Sequence, residues 1–329
     1  MDRSGSARSH EDRAEQRSLL DAVERAWARR PDPVGRVRSL GFPYTAAAVP
    51  RGVEPPAHVD DLGDHYDTEW ARRPVARWTR VAAMATVGRA ITELTCRPEV
   101  RNTDRLDPVD GPAIFVANHH SHLDTALLMT TIPLPWRHEL VVAAAADYFF
   151  EQRSTAALAA WAYGAVPMER TKVSRRSAER AATLVEDGWS LLIFPEGGRS
   201  PDGWGQEHKG GAAYLGVRCG VPIVPVHLEG TGRILPKGSS RPEPGTVRVN
   251  FGEALWADEG EDARQLARRV EAAIAELADE TTSDWWSARR RAAEGSTPSL
   301  RGDDIDGWRR DWASPDRRPR TRTRRRWPN

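Results

Sequence analysis

The 329-residue sequence contains only two cysteines, Cys96 and Cys219. Two thiols do not form a disulfide framework, so we expect a reducing compartment, the cytoplasm. Long apolar runs are missing as well: even the uncharged stretch 155–168 is shorter than the roughly 18 residues that a membrane-spanning helix needs. Residues 1–30 are charged throughout and do not look like a signal peptide. We therefore expect no segment to cross a membrane, although one could lie on its surface.

A net charge is also lacking, because 48 basic and 47 acidic residues give only +1. The average therefore indicates no preference for nucleic acid or for anionic lipid. The distribution is uneven, however, since residues 317–326 contain seven arginines and no acidic residue. A solvated, disordered tail is the ordinary explanation of such a run. No fold motif supports a nucleic-acid module, so nucleic acid is not an expected partner.

Several common site motifs are absent. The glycines between residues 210 and 216 lack the spacing of the dinucleotide fingerprint, and there is no Gly-Lys-Ser/Thr loop for nucleoside triphosphates. The sequence has no Gly-x-Ser-x-Gly nucleophile elbow. The acidic segment 303–307 lacks the spacing and the final glutamate of a calcium loop. The chemistry must therefore be sought in another arrangement.

Residues 1–64 are charged and then rich in proline and glycine, and we interpret them as an N-terminal extension. Residues 65–110 are predicted to contain an amphipathic helix, because large apolar residues recur at three- and four-residue steps. Two explanations stay open. The helix packs on the domain with its apolar side, or it rests on lipid, as its tryptophan and arginines would allow. The apolar positions are Trp78, Val81, Met84, Val87, Ile91 and Leu94.

Residues 111–282 have the alternating pattern of an α/β domain, which implies a mainly parallel or mixed sheet flanked by helices. The remaining residues, 283–329, hold five of the 13 tryptophans and are predicted to be a disordered, basic, Trp/Arg-rich tail. Predicted strands cover 113–117, 140–145, 164–168, 190–195, 222–228 and 246–251. Predicted helices cover 124–131, 154–162, 174–187, 210–218 and 261–279.

The stretch 118–124 follows the first predicted strand of this domain and contains three of the nine histidines. His119 at the strand exit and Asp124 in the first helical turn are spaced so that the carboxylate can reach one ring nitrogen. The other nitrogen would then be free to take a proton from a hydroxyl group. Two other interpretations stay open. Ser121 and Asp124 match a helix-capping signal, and the three histidines with Asp124 could hold a metal ion.

Further polar clusters follow later strands. Arg170 ends an apolar run, and arginine suits a bidentate contact with phosphate. Residues 191–200 carry Glu196 and Arg199 around the flexible pair Gly197 and Gly198, which would let backbone N–H groups approach an anion. Lys209 precedes a predicted helix start, where helix N–H groups favour phosphate. The segment 221–226 is predicted to be a strand broken by two prolines that lines an apolar slot.

These blocks, in the order Asn118-His119-x-x-x-x-Asp124, 164–170, Phe194-Pro195-Glu196-Gly197 and 221–226, resemble the four-block pattern of the PlsC-like glycerolipid acyltransferases. That superfamily includes the 1-acyl-sn-glycerol-3-phosphate and glycerol-3-phosphate acyltransferases. The resemblance covers roughly residues 100–255. Two positions depart from the pattern: Gly198 stands where threonine is usual, and His120 is an uncommon residue after the histidine.

The resemblance implies direct acyl transfer, with His119 held by Asp124 as the general base for an acceptor hydroxyl. Backbone N–H groups of the turn would stabilise the oxyanion. Neither a metal nor a bound cofactor is implied. Expected substrates are acyl-CoA or acyl carrier protein and a lysophosphatidic acid-like acceptor, at the anionic face of the cytoplasmic membrane. The expected substrate-binding residues are Ser121, Arg170, Glu196, Gly197, Gly198, Arg199 and Lys209.

Two alternatives remain at this level. The acceptor could be glycerol-3-phosphate or another lysolipid. The chain could also be a lipid-binding protein without turnover, although a retained His119 and Asp124 pair argues against that.

Overall fold

The computed structural model describes residues 62–169, 175–200 and 203–301. Its strands are β1 (Pro98–Arg101), β2 (Ile114–Ala117), β3 (Leu140–Ala145), β4 (Ala165–Met168), β5 (Ser190–Ile193), β6 (Ile223–Glu229) and β7 (Val247–Phe251). The helices up to β5 are α1 (Pro74–Ala83), α2 (Arg89–Cys96), α3 (Leu123–Thr131), α4 (Ala146–Phe149), α5 (Arg153–Tyr163) and α6 (Arg175–Glu186). The later helices are α7 (Gly211–Cys219), α8 (Thr231–Ile234), α9 (Ala263–Thr282) and α10 (Trp285–Ala293). Single 3₁₀ turns lie at Gly63–His65, Glu69–Arg72, Thr103–Leu106 and Trp136–Glu139.

The seven strands form one mixed sheet in the order β1-β7-β6-β2-β5-β3-β4. Every neighbouring pair is parallel except β6 and β7. The predicted α/β class is therefore confirmed. Since β2, β5 and β6 run in the same direction, the segments that follow them leave at one edge of the sheet, where α/β proteins commonly bind ligands.

The core has two parts, one on each face of the sheet. Successive side chains of a strand point to opposite faces. In β2, Phe115 packs with α3, whereas Ile114 and Val116 pack with α7 and α9. All four β2 residues are buried. The polar stretch that follows β2 therefore starts from a rigid support.

The helix predicted in 65–110 forms, but its apolar residues do not face inward as a set. α1 and α2 are joined by a π-helical turn, Met84–Gly88, and we call the continuous unit the surface helix. Trp78, Val87 and Leu94 are 52%, 62% and 73% exposed. Met84 does pack against the core. The prediction of an inward apolar stripe is therefore wrong for most of its members.

Polar residues hold the surface helix to the domain instead. Arg80, Thr92 and Cys96 are its buried positions. The Arg80 guanidinium donates to the carbonyl oxygen of Ala71 at 3.0 Å and lies close to Gly164. Burial, together with the charges of neighbouring arginines, lowers the pKa of Arg80 to about 10. The apolar residues of the surface helix, which would suit a core, are therefore mostly exposed.

The short helices α4 and α8 were not predicted, and two further elements differ from the predictions. β1, which was not expected, pairs with β7 at the sheet edge, so residues 65–110 are not helical throughout. The predicted tail, 283–329, begins with α10, so it is not structureless from its start. α10 begins at an Asp284 cap and is fixed to α9 by a two-bond ion pair between Arg291 and Asp279.

The described residues contain no helix long and apolar enough to cross a membrane. The predictions for residues 1–61, for Arg170 and for the arginine-rich residues 317–326 lie outside the described residues.

Candidate active site

His119 and Asp124 form a hydrogen-bonded pair. The Nδ1 atom of His119 lies 2.8 Å from Oδ2 of Asp124, and the carboxylate is fully buried. Asp124 is the second residue of α3, where the positive end of the helix dipole favours a carboxylate. Because a carboxylate accepts hydrogen bonds, Nδ1 carries the proton and Nε2 is left as the acceptor. Among the described residues, no group forms a hydrogen bond to Nε2.

The same carboxylate oxygen holds the loop between β2 and α3. Oδ2 of Asp124 accepts the backbone N–H groups of His120 at 2.7 Å and Ser121 at 2.8 Å. One oxygen atom therefore fixes both the imidazole and the backbone that follows it. These two N–H groups are consequently not available to an oxyanion, and the expectation that other N–H groups near the turn supply such donors stays a prediction.

Ser121 supports the loop and has no exposed surface. Its hydroxyl donates to the carbonyl oxygen of Leu235 at 2.8 Å and accepts the N–H of Leu123 at 3.2 Å. The second contact supports the helix start, as the capping interpretation requires, although the residue at the cap position itself is His122. The predicted contact of Ser121 with substrate stays a prediction.

The loop after β5 holds the backbone on both sides of His119. Oε1 of Glu196 accepts the N–H of His119 at 2.8 Å, and the N–H of Ser200 donates to the carbonyl oxygen of His119 at 2.8 Å. The other carboxylate oxygen of Glu196 accepts the N–H of Gln206 at 2.9 Å. Glu196 therefore holds backbone groups on two segments, and its contact with substrate stays a prediction.

Burial raises the pKa of Glu196 to about 7, even though the two backbone N–H bonds favour the charged form. The carboxyl group is only 4% exposed. Desolvation disfavours a buried carboxylate unless hydrogen bonds compensate it. Glu196 therefore changes charge in the pH range where most enzymes are assayed.

Two further contacts around the pair were not predicted from the sequence. The Asn118 side chain exchanges two hydrogen bonds with the backbone of Leu228, at 2.8 and 2.7 Å, and so ties the end of β2 to β6. The Phe194 ring stacks on the imidazole of His119, with centroids 4.2 Å apart and planes 21° from parallel. The His119 imidazole is thus held by Phe194 on one face and by the Asp124 carboxylate at Nδ1. The His119 side chain is 17% exposed.

The loop 197–199 has the features of an anion cradle. Gly197 has a positive φ of 70°, and the ammonium end of Lys209 lies where a Cβ of Gly197 would point. The N–H groups of Gly198 and Arg199 have no hydrogen-bond partner among the described residues. In that part of the chain, Arg199 also forms no ion pair with a carboxylate. Free N–H groups after a left-handed residue make a concave anion site.

Arg199 also lies near residues 118–122, the segment between β2 and α3 that holds the candidate base and that we call the catalytic loop. Partial burial of the His122 ring, together with the positive charge of Arg199, lowers the pKa of His122. The His122 ring stacks beside Tyr148 with centroids 6.0 Å apart. Arg199 is therefore close enough to act electrostatically on this loop.

The metal alternative does not fit this geometry, because the histidine side chains diverge. His119 binds Asp124, His122 lies beside Tyr148, and His120 packs against Gly232. The described residues contain no group of three metal-binding side chains.

The predicted apolar slot at 221–226 is also corrected. β6 is continuous from Ile223 and buried in the middle of the sheet. Pro225 lies opposite Val116 in the register, and its carbonyl oxygen accepts the N–H of Gly252. Residues 221–226 therefore do not line a slot. The later part of β6 forms hydrogen bonds with the Asn118 side chain.

Comparison with known proteins gives a consistent result. The Acyltransferase family matches residues 97–229. The chain is 29% identical over 174 residues to a chloroplastic 1-acyl-sn-glycerol-3-phosphate acyltransferase of Brassica napus, covering 50% of this chain and 47% of that protein. It is 30% identical to a chloroplastic 1-acyl-sn-glycerol-3-phosphate acyltransferase of Arabidopsis thaliana, over 55% of this chain and 49% of that one. The chain thus spans about half the length of these relatives.

A solved structure is similar as well. The crystal structure of the 1-acyl-sn-glycerophosphate acyltransferase PlsC from Thermotoga maritima superposes with a TM-score of 0.50 at 25% identity. The superposition covers 66% of this chain and 84% of that one. The family match at residues 97–229 includes the segment that carries His119 and Asp124.

Proposed function

Because the chain belongs to the PlsC-like glycerolipid acyltransferase superfamily, we propose that it transfers a fatty acyl group from a thioester donor to the hydroxyl group of a lysophosphatidic acid-like acceptor. The observation that carries the proposal is the pair of His119 and Asp124. Its Nδ1–Oδ2 distance is 2.8 Å, and Nε2 is left as the proton acceptor. A base in this state is what a hydroxyl nucleophile requires.

In the proposed reaction, Nε2 of His119 takes the proton of the acceptor hydroxyl as its oxygen attacks the thioester carbonyl carbon. Asp124 keeps the ring in the required tautomer and stabilises the imidazolium that forms. The tetrahedral intermediate then collapses, the carbon–sulfur bond breaks, and the imidazolium returns its proton to the leaving thiolate. The products are a new ester and a free thiol, and no acyl-enzyme is formed.

The cradle residues Gly197, Gly198, Arg199 and Lys209 are proposed to bind the acceptor phosphate. The support is the pair of N–H groups of Gly198 and Arg199, which have no hydrogen-bond partner in the described ranges, and the Arg199 side chain, which forms no ion pair there. Arg170 stays a proposed phosphate ligand on the strength of the family pattern alone. Glycerol-3-phosphate and other lysolipids offer the same phosphate and remain alternative acceptors.

Acyl-CoA or acyl carrier protein is the proposed donor, and no bound cofactor enters the proposed reaction. The surface helix supports peripheral membrane association, because it presents Trp78, Val87, Ile91 and Leu94 to the surroundings. Tryptophan and exposed aliphatic side chains are typical of helices that lie in the lipid interface.

The test is an acceptor panel with purified protein and mixed vesicles. Labelled acyl-CoA and acyl carrier protein are each offered with lysophosphatidic acid, glycerol-3-phosphate and a lysolipid without phosphate monoester. Transfer to lysophosphatidic acid is expected, and His119→Ala should reduce it by at least about a thousandfold while the circular dichroism spectrum is unchanged. The control is His138→Ala, a change of the same kind away from the pair. Full activity of the His119 variant would refute the assigned base.

A lipid-binding protein without turnover is the second candidate function, and it rests on the exposed surface helix. Vesicle binding without transfer from any donor in the panel would favour it.

A further inference from the structure

A cavity of about 680 Å³ lies against the catalytic loop, whose Asn118 and His120 line it. Its walls come from the start of the catalytic loop, the segment 203–208, the end of β6 with α8, the inner side of α9 and the segment 298–300. The imidazole of His119 does not line it. Ligand cavities are typically about 300–1,000 Å³, so the space is large enough for a small molecule.

The acidic groups of this cavity are already paired. Both oxygens of Asp279 accept from Arg291 at 2.6 Å, and the oxygens of Glu229 are bonded to Arg248 and Arg233. The Glu196 carboxylate accepts two backbone N–H groups. A cationic ligand would therefore find no free counter-charge on these walls.

Two basic side chains line the cavity, and one of them, Arg233, contacts Glu229 through a single nitrogen at 3.4 Å, which leaves its other N–H groups able to donate to an anion. Arg233 lies at the rim with its side chain 80% exposed, and Lys237 lines the cavity near it. His208 also lines the cavity, and its Nδ1 atom is buried without a hydrogen-bond partner in the described part of the chain. Burial lowers the pKa of His227 to about 3, so this ring is a neutral wall. An unsatisfied buried polar atom next to a cavity indicates a missing partner.

Polar residues such as Asn118, Thr282 and Ser299 also line the cavity, and apolar residues complete the walls. Ala275 and Ala278 of α9 form one side, and Leu228 and Leu300 form the others. The segment that ends at Leu300 is fixed there, because the N–H of Gly205 donates to the Leu300 carbonyl oxygen at 2.8 Å. An apolar space with cations at one rim fits a molecule with an anionic head and an aliphatic body.

We propose that this cavity is a second ligand site, separate from the acyl-transfer site, that binds a single-chain anionic amphiphile. The carboxylate or phosphate head lies toward Arg233 and Lys237, and the chain lies between α9 and the segment 298–300. The inner wall contains Glu196, Ser200 and His120, each of which forms a hydrogen bond to His119 or Asp124. A ligand here contacts the groups that hold the catalytic pair without contacting the pair.

The site is tested on the full chain with a fatty acid that carries a photoreactive diazirine at its chain end. After irradiation, the labelled peptides are identified by mass spectrometry. Label is expected in peptides that contain residues 203–208, 275–282 or 298–300, and His119→Ala should leave it unchanged. Label confined to the surface helix or to residues 119–124 would overturn the proposal. The labelling does not depend on turnover. A failure of the second site can therefore be distinguished from a failure of the proposed acyl-transfer activity.

Competition and variants complete the test. Dodecanoate and dodecyl phosphate should both displace the probe, and the one effective at lower concentration identifies the preferred head group. Dodecyltrimethylammonium should not displace it.

Ala278→Leu fills the cavity and should weaken displacement by at least about tenfold. Ala272→Leu, on the exposed side of the same helix, is the matched control. Equal labelling of Ala278→Leu and Ala272→Leu would contradict the site. Displacement of the probe by dodecyltrimethylammonium at the same concentration as by the two anions would also contradict it.

A second variant pair covers the case in which Ala278→Leu does not fold. Arg233→Gln combined with Lys237→Gln removes the rim charges without changing the packing of α9, and about a tenfold loss of affinity is expected. Arg264→Gln, an exposed arginine at the start of α9, serves as its control. Unchanged affinity in the double variant would refute the proposed position of the head.

Discussion

The carboxylate of Glu196 lies 2.8 Å from the backbone N–H of His119, although the two residues are 77 positions apart in the chain. This contact makes Glu196 a positioning residue for the proposed base. Together with the Ser200 N–H on the other side of His119, it fixes both adjacent peptide groups. The block that follows β5 therefore supports the histidine as well as the proposed phosphate cradle.

Glu196→Gln should reduce kcat about 10–100-fold and change the KM for the acceptor little. The amide keeps one acceptor oxygen but turns an NH₂ group toward one of the two backbone N–H donors, which displaces the His119 backbone. Steady-state kinetics on mixed vesicles measure the effect. Glu207→Gln, at an exposed neighbouring position, is the control. A rise in acceptor KM at constant kcat would instead indicate direct contact with substrate.

The stability of the protein should depend on pH through the same carboxyl group. The pKa of Glu196 is about 7 in the folded chain and 4.5 in the reference state, so the folded state binds more protons between these values. Its contribution to the free energy of unfolding is full below pH 4.5 and is lost as the pH rises through 7. The loss is on the order of 3 kcal/mol, from about 1.4 kcal/mol per pKa unit.

Denaturant unfolding of the wild type and of Glu196→Gln from pH 4.5 to 8 measures this dependence. The difference between the two proteins should change over that range, with the variant relatively more stable at pH 8. Parallel curves at all pH values would show that Glu196 does not titrate in the folded chain in this range.

Gly197 and Gly198 should respond differently to the same substitution. Gly197→Ala places a Cβ at a positive φ and against the end of Lys209, so we expect a loss of about 1–2 kcal/mol in stability and a higher acceptor KM. Gly198→Ala meets no atom within 4 Å and should be nearly neutral. Thermal unfolding and acceptor titrations compare the two variants. Equal effects would contradict the description of the loop.

Arg199→Gln should weaken the acceptor through its phosphate. We expect the KM for lysophosphatidic acid to rise about tenfold or more, with a smaller change for a monoacylglycerol that has no phosphate. Arg175→Gln, an exposed arginine at the start of α6, controls for general charge effects. A similar change for both acceptors would exclude Arg199 as the phosphate ligand.

The surface helix should be required for vesicle binding. Val87→Asp with Ile91→Asp places two charges among its exposed apolar residues and should abolish flotation with liposomes, because a charge in the lipid interface is costly. Glycerol-3-phosphate is soluble in water and does not require membrane binding. If the protein accepts it, activity toward it in the double variant shows that membrane binding is lost and catalysis is not. The control is Ala272→Asp on α9. Undiminished flotation would assign lipid binding to another surface.

The predicted strands and helices of residues 111–282 are confirmed because each carries a buried apolar pattern. β1 was missed since Pro98–Arg101 is short, polar and mostly exposed, and only its pairing with β7 makes it a strand. α10 was missed because Ala288 is its one buried residue, which leaves no periodic pattern. Local sequence contains little signal for elements that depend on a partner already in place.

The candidate site was likewise predicted from the sequence only in part. The pairing of His119 with Asp124 follows from spacing at a strand end, because the partners are close in the chain. The partners of Glu196 and Asn118 are backbone groups of distant residues, and no side-chain pattern marks a backbone N–H or carbonyl. The sequence thus indicated the reacting groups but not what holds them.

The exposed apolar side of the surface helix also determines how the proposed reaction should be measured. An enzyme held on lipid by that helix meets its acceptor in two dimensions, so the acceptor's mole fraction in the bilayer replaces its bulk molarity as the variable. Diluting lysophosphatidic acid with inert phospholipid at constant total acceptor should slow the reaction. Adding more vesicles of fixed composition should not, once all of the protein is bound. Rates compared between laboratories would therefore agree only when expressed per unit of lipid surface.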